Sequence, residues 1–292
     1  MKVAKKAEQR NASSLRSFVR SQTLCAIVAL ASSNSYGDGT NDPIRQDESK
    51  IPFLKAVASD ISMDFSETFA SKYILSGGFV VGQGPVNQDL LNLNIGKYLT
   101  GTFWTDYDSG NGRFDEVDLY ATAHSTLFEI KNGFFKGTIG GSFGFENWHY
   151  PSHIVSEHDD NLLVPTLSYK GPINVNITLF HLVDNGWRWD ENCAVLDLSK
   201  QFKIAEFGKG KVSLAPTLRV TYNDNFYETT GFMQVTSGLS LSWSDGVYSV
   251  STFANYQHGI PTSVRNIPNY GISIRVNDLS KALNDVGELL RK

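Results

Sequence analysis

The stretch Asp115–Leu127, DEVDLYATAHSTL, decides the fold class. Val117, Leu119, Ala121 and Ala123 alternate with Glu116, Asp118, Tyr120, Thr122 and His124, a period of two that no amphipathic helix produces. The same alternation runs through INVNITLFHL (Ile173–Leu182), KVSLAPTLRVTY (Lys211–Tyr222), FMQVTSGLSLSW (Phe232–Trp243) and NYGISIRV (Asn269–Val276). Working outward from these gives twelve segments, near 60–75, 87–95, 98–107, 115–130, 134–147, 161–169, 173–183, 193–204, 211–222, 232–243, 247–256 and 269–276. Most approach the ~9–11 residues with which a tilted strand crosses a bilayer, and their number is even.

The connections sort by parity. Gly96-Lys97, Lys131-Asn132-Gly133, Lys170-Gly171-Pro172, Ala205–Gly210 and Ser244-Asp245-Gly246 are short and turn-like. The alternate ones, 76–86, 108–114, 148–160, 184–192, 223–231 and 257–268, are longer. An up-and-down barrel with one end in the periplasm and the other outside produces this pattern, whereas a soluble sandwich has no reason to. The expectation is an all-β, antiparallel, up-and-down transmembrane β-barrel of about twelve strands over residues 59–277, followed by a short C-terminal helix. Composition permits it: 41% apolar, 19% charged, with no ~18-residue apolar run for a spanning helix.

The polar parity holds the candidate lumen and selectivity residues Glu116, Asp118, His124, Glu146, Asp197, Arg219 and Arg275. Glu116 and Asp118 are expected as a lumenal pair contacting arginines across the barrel. Trp104, Tyr120 and Arg219 are long enough to narrow a twelve-strand lumen. Aromatics near strand ends (Tyr98, Phe103, Tyr107, Phe145, Trp148, Tyr169, Tyr222, Trp243, Tyr248, Tyr256) fit interfacial girdles.

At the N-terminus, six cations precede the apolar run Leu24–Ala31, the pattern of a secretory signal over 1–31, with a flexible segment at 32–58. Without 1–31 the chain has 20 basic and 29 acidic residues, which makes nucleic acid an unsuitable partner. In the long connections from 108 onward, nine acids (Asp108, Glu157, Asp159, Asp160, Asp184, Asp190, Glu191, Asp224, Glu228) face three bases (Arg113, Arg188, Arg265), while the short turns carry Lys97, Lys131, Lys170 and Lys209. An acidic vestibule favours cations.

Asn269–Val276 is similar to the β-signal read by barrel-assembly machinery, with Gly271, Ile274 and Val276 at its key positions. Residues 278–292 read as a helix with Asp278 as N-cap and Leu279, Leu283, Val286 and Leu290 in one stripe. A second resemblance covers about residues 70–170. Tyr73, Gly77, Pro85, Gln88, Tyr98, Gly101, Trp104, Glu116 and Asp118, with Glu157 after the Tyr150-Pro151 loop, resemble the opening motifs of the TorF-type porin family. That resemblance implies an outer-membrane barrel that forms a pore.

The functional expectation is a passive, weakly cation-preferring channel for small hydrophilic solutes in the outer membrane of a Gram-negative-type bacterium. Its partners would be outer-membrane lipid, the assembly machinery, and the solutes or ions themselves; no cofactor or metal is expected. The alternatives are a non-conducting structural or adhesion barrel that displays its loops, and an outer-membrane enzyme. An enzyme of the lipid-cleaving kind needs a His and a Ser two residues apart on an outward face. His124 has only Thr126 at that spacing, on the lumenal parity. His149, His153 and His158 with Glu157, Asp159 and Asp160 form a weak metal pattern in a loop.

Overall fold

The computed structural model describes residues 61–75, 79–81, 84–151, 159–183, 191–261 and 264–283. The expected leader and flexible segment lie outside the described residues, as do Glu157, Asp184, Asp190, His153, His158 and the end of the C-terminal helix. No described helix is long and apolar enough to cross a membrane, which leaves crossing by strands open.

The strands are β1 (Ile61–Ala70), β2 (Tyr73–Ile74), β3 (Val80–Val81), β4 (Val86–Ile95), β5 (Leu99–Asp108), β6 (Arg113–Ile130), β7 (Gly137–His149), β8 (Asp160–Lys170), β9 (Asn174–Leu182), β10 (Asn192–Ser199), β11 (Phe202–Phe207), β12 (Gly210–Phe226), β13 (Thr229–Ser244), β14 (Tyr248–Gly259) and β15 (Ile267–Val276). All but β2 and β3 lie in one antiparallel sheet, and it closes on itself: β1 pairs with both β4 and β15, and β10 pairs with both β9 and β12. β10 and β11 are one wall strand broken at Lys200-Gln201, since both run along β12. The wall therefore has twelve strands, each at the place the alternation predicts. Closure through β10 pairs both edges of that strand, while β11, among the described residues, pairs with β12 alone.

Several boundaries differ from the sequence reading. The first segment ends at Ala70 rather than 75, and Tyr73–Val81 forms a separate hairpin. The fifth begins at Gly137, because Phe134 and Phe135 belong to the preceding turn. β6, β12 and β13 have 18, 17 and 16 residues, beyond the expected span. At ~3.3 Å per residue such strands overshoot an apolar band ~25 Å tall and carry the barrel wall past it. The turn end uses tight reversals at Gly96 and Gly246, with φ of 58° and 98°, angles that a side chain with a Cβ resists.

The faces sort as the parity requires. Leu119, Phe143, Phe145, Leu167, Ile177, Leu239, Leu241, Ile272 and Ile274 all point outward and are exposed. A water-exposed wall of this kind, carried around the barrel, exceeds the apolar patches of soluble monomers. Trp148 is a correction to the expected girdle: it is 3% exposed and lies inside. It shares its parity with Glu146, whose carboxylate its indole N–H reaches at 2.9 Å.

The buried apolar cluster sits within the loop half of the lumen and includes Tyr73, Leu75, Val81, Tyr150, Leu162 and Phe226. After β15, a helix starts at Leu279. Asp278 caps it as expected, its carboxylate accepting the Lys281 N–H at 2.9 Å and its carbonyl the Ala282 N–H at 3.0 Å.

Candidate functional site: the lumen

The first connection turns inward. After Ala70 the chain leaves the wall, and the β2–β3 hairpin places Tyr73, Leu75 and Val81 inside the barrel at 9%, 2% and 4% exposure. Tyr73 is the anchor. Its hydroxyl donates to Glu116 Oε2 at 2.6 Å, and its ring lies 5.5 Å from that of Trp104. Glu116 therefore meets a phenol rather than an arginine, which corrects the expected contact. Asp118 is likewise held by the Tyr120 hydroxyl at 2.5 Å. The arginines are engaged elsewhere: Arg219 grips Asp197 with two N–H groups at 2.7 and 3.1 Å, and Arg275 reaches Asp64 at 2.7 Å.

A second seal lies across the hairpin. Tyr227 is held at φ 48°, a left-handed angle that costs a bulky residue about 1–3 kcal/mol. The conformation turns its ring inward against Phe79 and Phe226, at centroid distances of 6.4 and 4.7 Å. Its hydroxyl donates to Asp160 at 2.5 Å, so Tyr150 must donate to Tyr227 at 2.9 Å. Burial pushes the Tyr227 phenol well above its usual range, and the Asp160 carboxylate adds to this, so the donor keeps its proton. Asp160, expected in an outer loop, is the first residue of β8 and is buried.

These contacts gather carboxylates into one sector. Asp106, Asp108, Asp115, Glu116, Asp118 and Asp160 are all buried on β5, β6 and β8, with Glu146 beside them on β7. Arg113 answers Asp115 at 3.3 Å. A β-bulge opposite Asp106 and Tyr107 lets both Asp115 and Glu116 occupy this crowded sector. Asp108 closes its own turn by accepting the backbone N–H groups of Gly110 and Asn111. Outside the barrel wall, Asp159 pairs with His149 at 2.6 Å.

Among the described residues, two cavities lie in the lumen beside these contacts. The upper one, about 390 Å³, lies against the hairpin and is bounded by Tyr73, Trp104, Gln88, Gln234, Phe253 and Asn255, with Asp197 and Arg219 on its wall. The lower one, about 770 Å³, is bounded by serines, threonines and glycines together with His124, Lys97 and Lys170. Asp197 borders both, so the Asp197–Arg219 pair stands where they adjoin. A further basin beside the turns is edged by Lys203, Lys209 and Lys211. Fixed charge thus runs from acidic at the loop end to basic at the turn end.

His124 is in the lumen as expected, its Nε2 3.1 Å from Thr100 Oγ1, and Thr126 borders the same cavity. Among the described residues no group of three His, Cys, Asp or Glu is placed to hold a metal ion. Of the assembly-signal positions, Ile274 faces outward, Val276 pairs with both Phe65 and Tyr248, and Gly271 faces the lumen beneath the Phe253 ring. The sequence reading missed Tyr150, Tyr227 and the inward hairpin. The motif residues Tyr73, Gln88, Trp104, Glu116 and Asp118, scattered over 46 positions of sequence, converge on this one region.

No family model matches the chain, and no curated protein matches it in sequence. Among solved structures, the KdgM porin is 10% identical, with 74% of this chain and 98% of that one covered and a TM-score of 0.42. The NanC porin is 11% identical, with 74% and 99% covered and a TM-score of 0.41. Outer membrane phospholipase A from Escherichia coli is 14% identical, with 75% and 93% covered and a TM-score of 0.43. Porins and a phospholipase both stand among these likenesses.

Proposed function

We propose that this chain is a porin-like barrel of the outer membrane, of the TorF type, acting as a passive and weakly cation-preferring channel for small hydrophilic solutes. One observation carries the reading: a closed strand wall has its exposed apolar residues outside and polar residues inside, around two adjoining cavities. Water cannot stabilise such an outer face, whereas lipid does. Export by the basic N-terminal signal, assembly through the β15 signal, and an exterior position for the loop end belong to the same proposal. The cation preference rests on the excess of acids in the long connections, the exposed Asp159, Asp224 and Glu228 among them, which would raise local cation concentration where solutes enter.

Liposome swelling tests it. Vesicles carrying the refolded barrel should swell in small sugars and amino acids and resist larger solutes. Vesicles that swell no faster than protein-free ones would overturn the channel. A non-conducting, loop-displaying barrel is the second reading, and the hairpin packed across the loop half favours it. It predicts that lack of swelling.

A further inference from the structure

We infer that the upper cavity is a subsite for a neutral pyranose sugar; this rests on the channel reading and names the solute class it would select. The cavity combines two kinds of wall. Trp104 and Phe253, both only partly buried, border it with aromatic rings, whose negative π-clouds attract the weakly positive C–H groups on the flat face of a pyranose, and the buried Tyr73 ring backs Trp104. Gln88, Gln234 and Asn255 offer amides, each with donors and an acceptor, which match hydroxyls that both donate and accept. Its volume of about 390 Å³ falls in the range of small-molecule sites, roughly 300–1,000 Å³.

The walls are built so that these side chains lie flat. Phe253 and Asn255 are two apart on β14 and both face the lumen. A Cβ added to Gly271, opposite Phe253, would come within 2.6 Å of the Phe253 ring; one added to Gly238, opposite Asn255, would come within 1.9 Å of its Oδ1. Each side chain is thus laid over a glycine on the neighbouring strand. Gln234 is 1% exposed, its Nε2 donates to Thr221 Oγ1 at 3.2 Å, and its Oε1 has no hydrogen-bond partner. A buried acceptor left in this state is costly, and a sugar hydroxyl would supply the missing donor.

The charge argues for a neutral ligand. Asp197 and Arg219 on the wall neutralise each other in a two-bonded pair, and Lys72, the other cation bordering the cavity, is itself engaged, so an anionic sugar would find no uncommitted cation there.

Equilibrium dialysis of labelled maltose against the refolded barrel in detergent micelles tests the inference without requiring conduction. Binding should be saturable, displaced by unlabelled maltose and not by galacturonate. Trp104→Ala should weaken it roughly tenfold. Gln234→Leu should weaken it about 2- to 13-fold. Heat-modifiable gel migration confirms that each variant is folded, and Trp104→Phe, which keeps an aromatic face, should retain most of the binding. Unsaturable uptake, displacement by galacturonate, or binding indifferent to Trp104→Ala in a folded barrel overturns the subsite. Maltose binding in a barrel that fails to swell vesicles leaves the subsite standing and removes the channel; swelling without binding does the reverse.

Discussion

Replacing Tyr73 by Phe removes one hydroxyl and nothing else from the seat of the inward hairpin. The ring and its contact with Trp104 at 5.5 Å remain, so the change isolates the 2.6 Å hydrogen bond to Glu116. Both partners are buried, at 9% and 1% exposure, and no water takes the place of the lost donor without rearrangement. A hydrogen bond to a carboxylate contributes about 1.5–3 kcal/mol, which corresponds to roughly 13- to 160-fold in the equilibrium between seated and displaced hairpin. The reporter is Leu75→Cys, at a side chain that is 2% exposed in the seated hairpin, in a background where the buried Cys193 is replaced by Ala. When opening is fast relative to labelling, the reaction rate with a polar maleimide follows the displaced population. Adding Tyr73→Phe should raise that rate by the factor above. An unchanged rate in a folded barrel would refute the claim that the phenol holds the hairpin in the lumen.

Gly271→Ala would bring a Cβ to 2.3 Å from the Phe69 carbonyl oxygen, so the barrel should lose about 1–3 kcal/mol of stability, read as a lower urea midpoint for loss of the folded gel form. Arg219→Met frees Asp197 where the two cavities adjoin; because Arg219 is half exposed the stability change should stay under about 1 kcal/mol, while the cation preference of the current rises. Asp278→Ala removes the cap on the Lys281 N–H and should cost the C-terminal helix about 1 kcal/mol, seen as faster amide exchange at Ala282, with the barrel unaffected.

The strand wall was legible because alternation at period two is a local property. Every wall strand kept its place, and Glu116, Asp118, His124, Glu146, Asp197, Arg219 and Arg275 lie on the lumenal parity from which they were chosen. The hairpin was not legible. Its alternation simply continues that of β1 past Ala70, and what pulls Tyr73 inward is a carboxylate 43 residues away. The arginine partners expected for Glu116 and Asp118 failed for the same reason: charge complementarity names a sign, while the register decides that Arg219 stands opposite Asp197. Trp148 was within reach, since its parity with Glu146 already placed it inside, yet its position near a strand end made an interfacial role attractive.

The ion selectivity of the reconstituted barrel tests the central claim most directly. In a planar bilayer with potassium chloride more concentrated on one side, the barrel should open discrete steps of current whose reversal potential has the sign that draws potassium down its gradient. Absence of steps from folded protein, or a reversal potential of the chloride sign, would contradict the account.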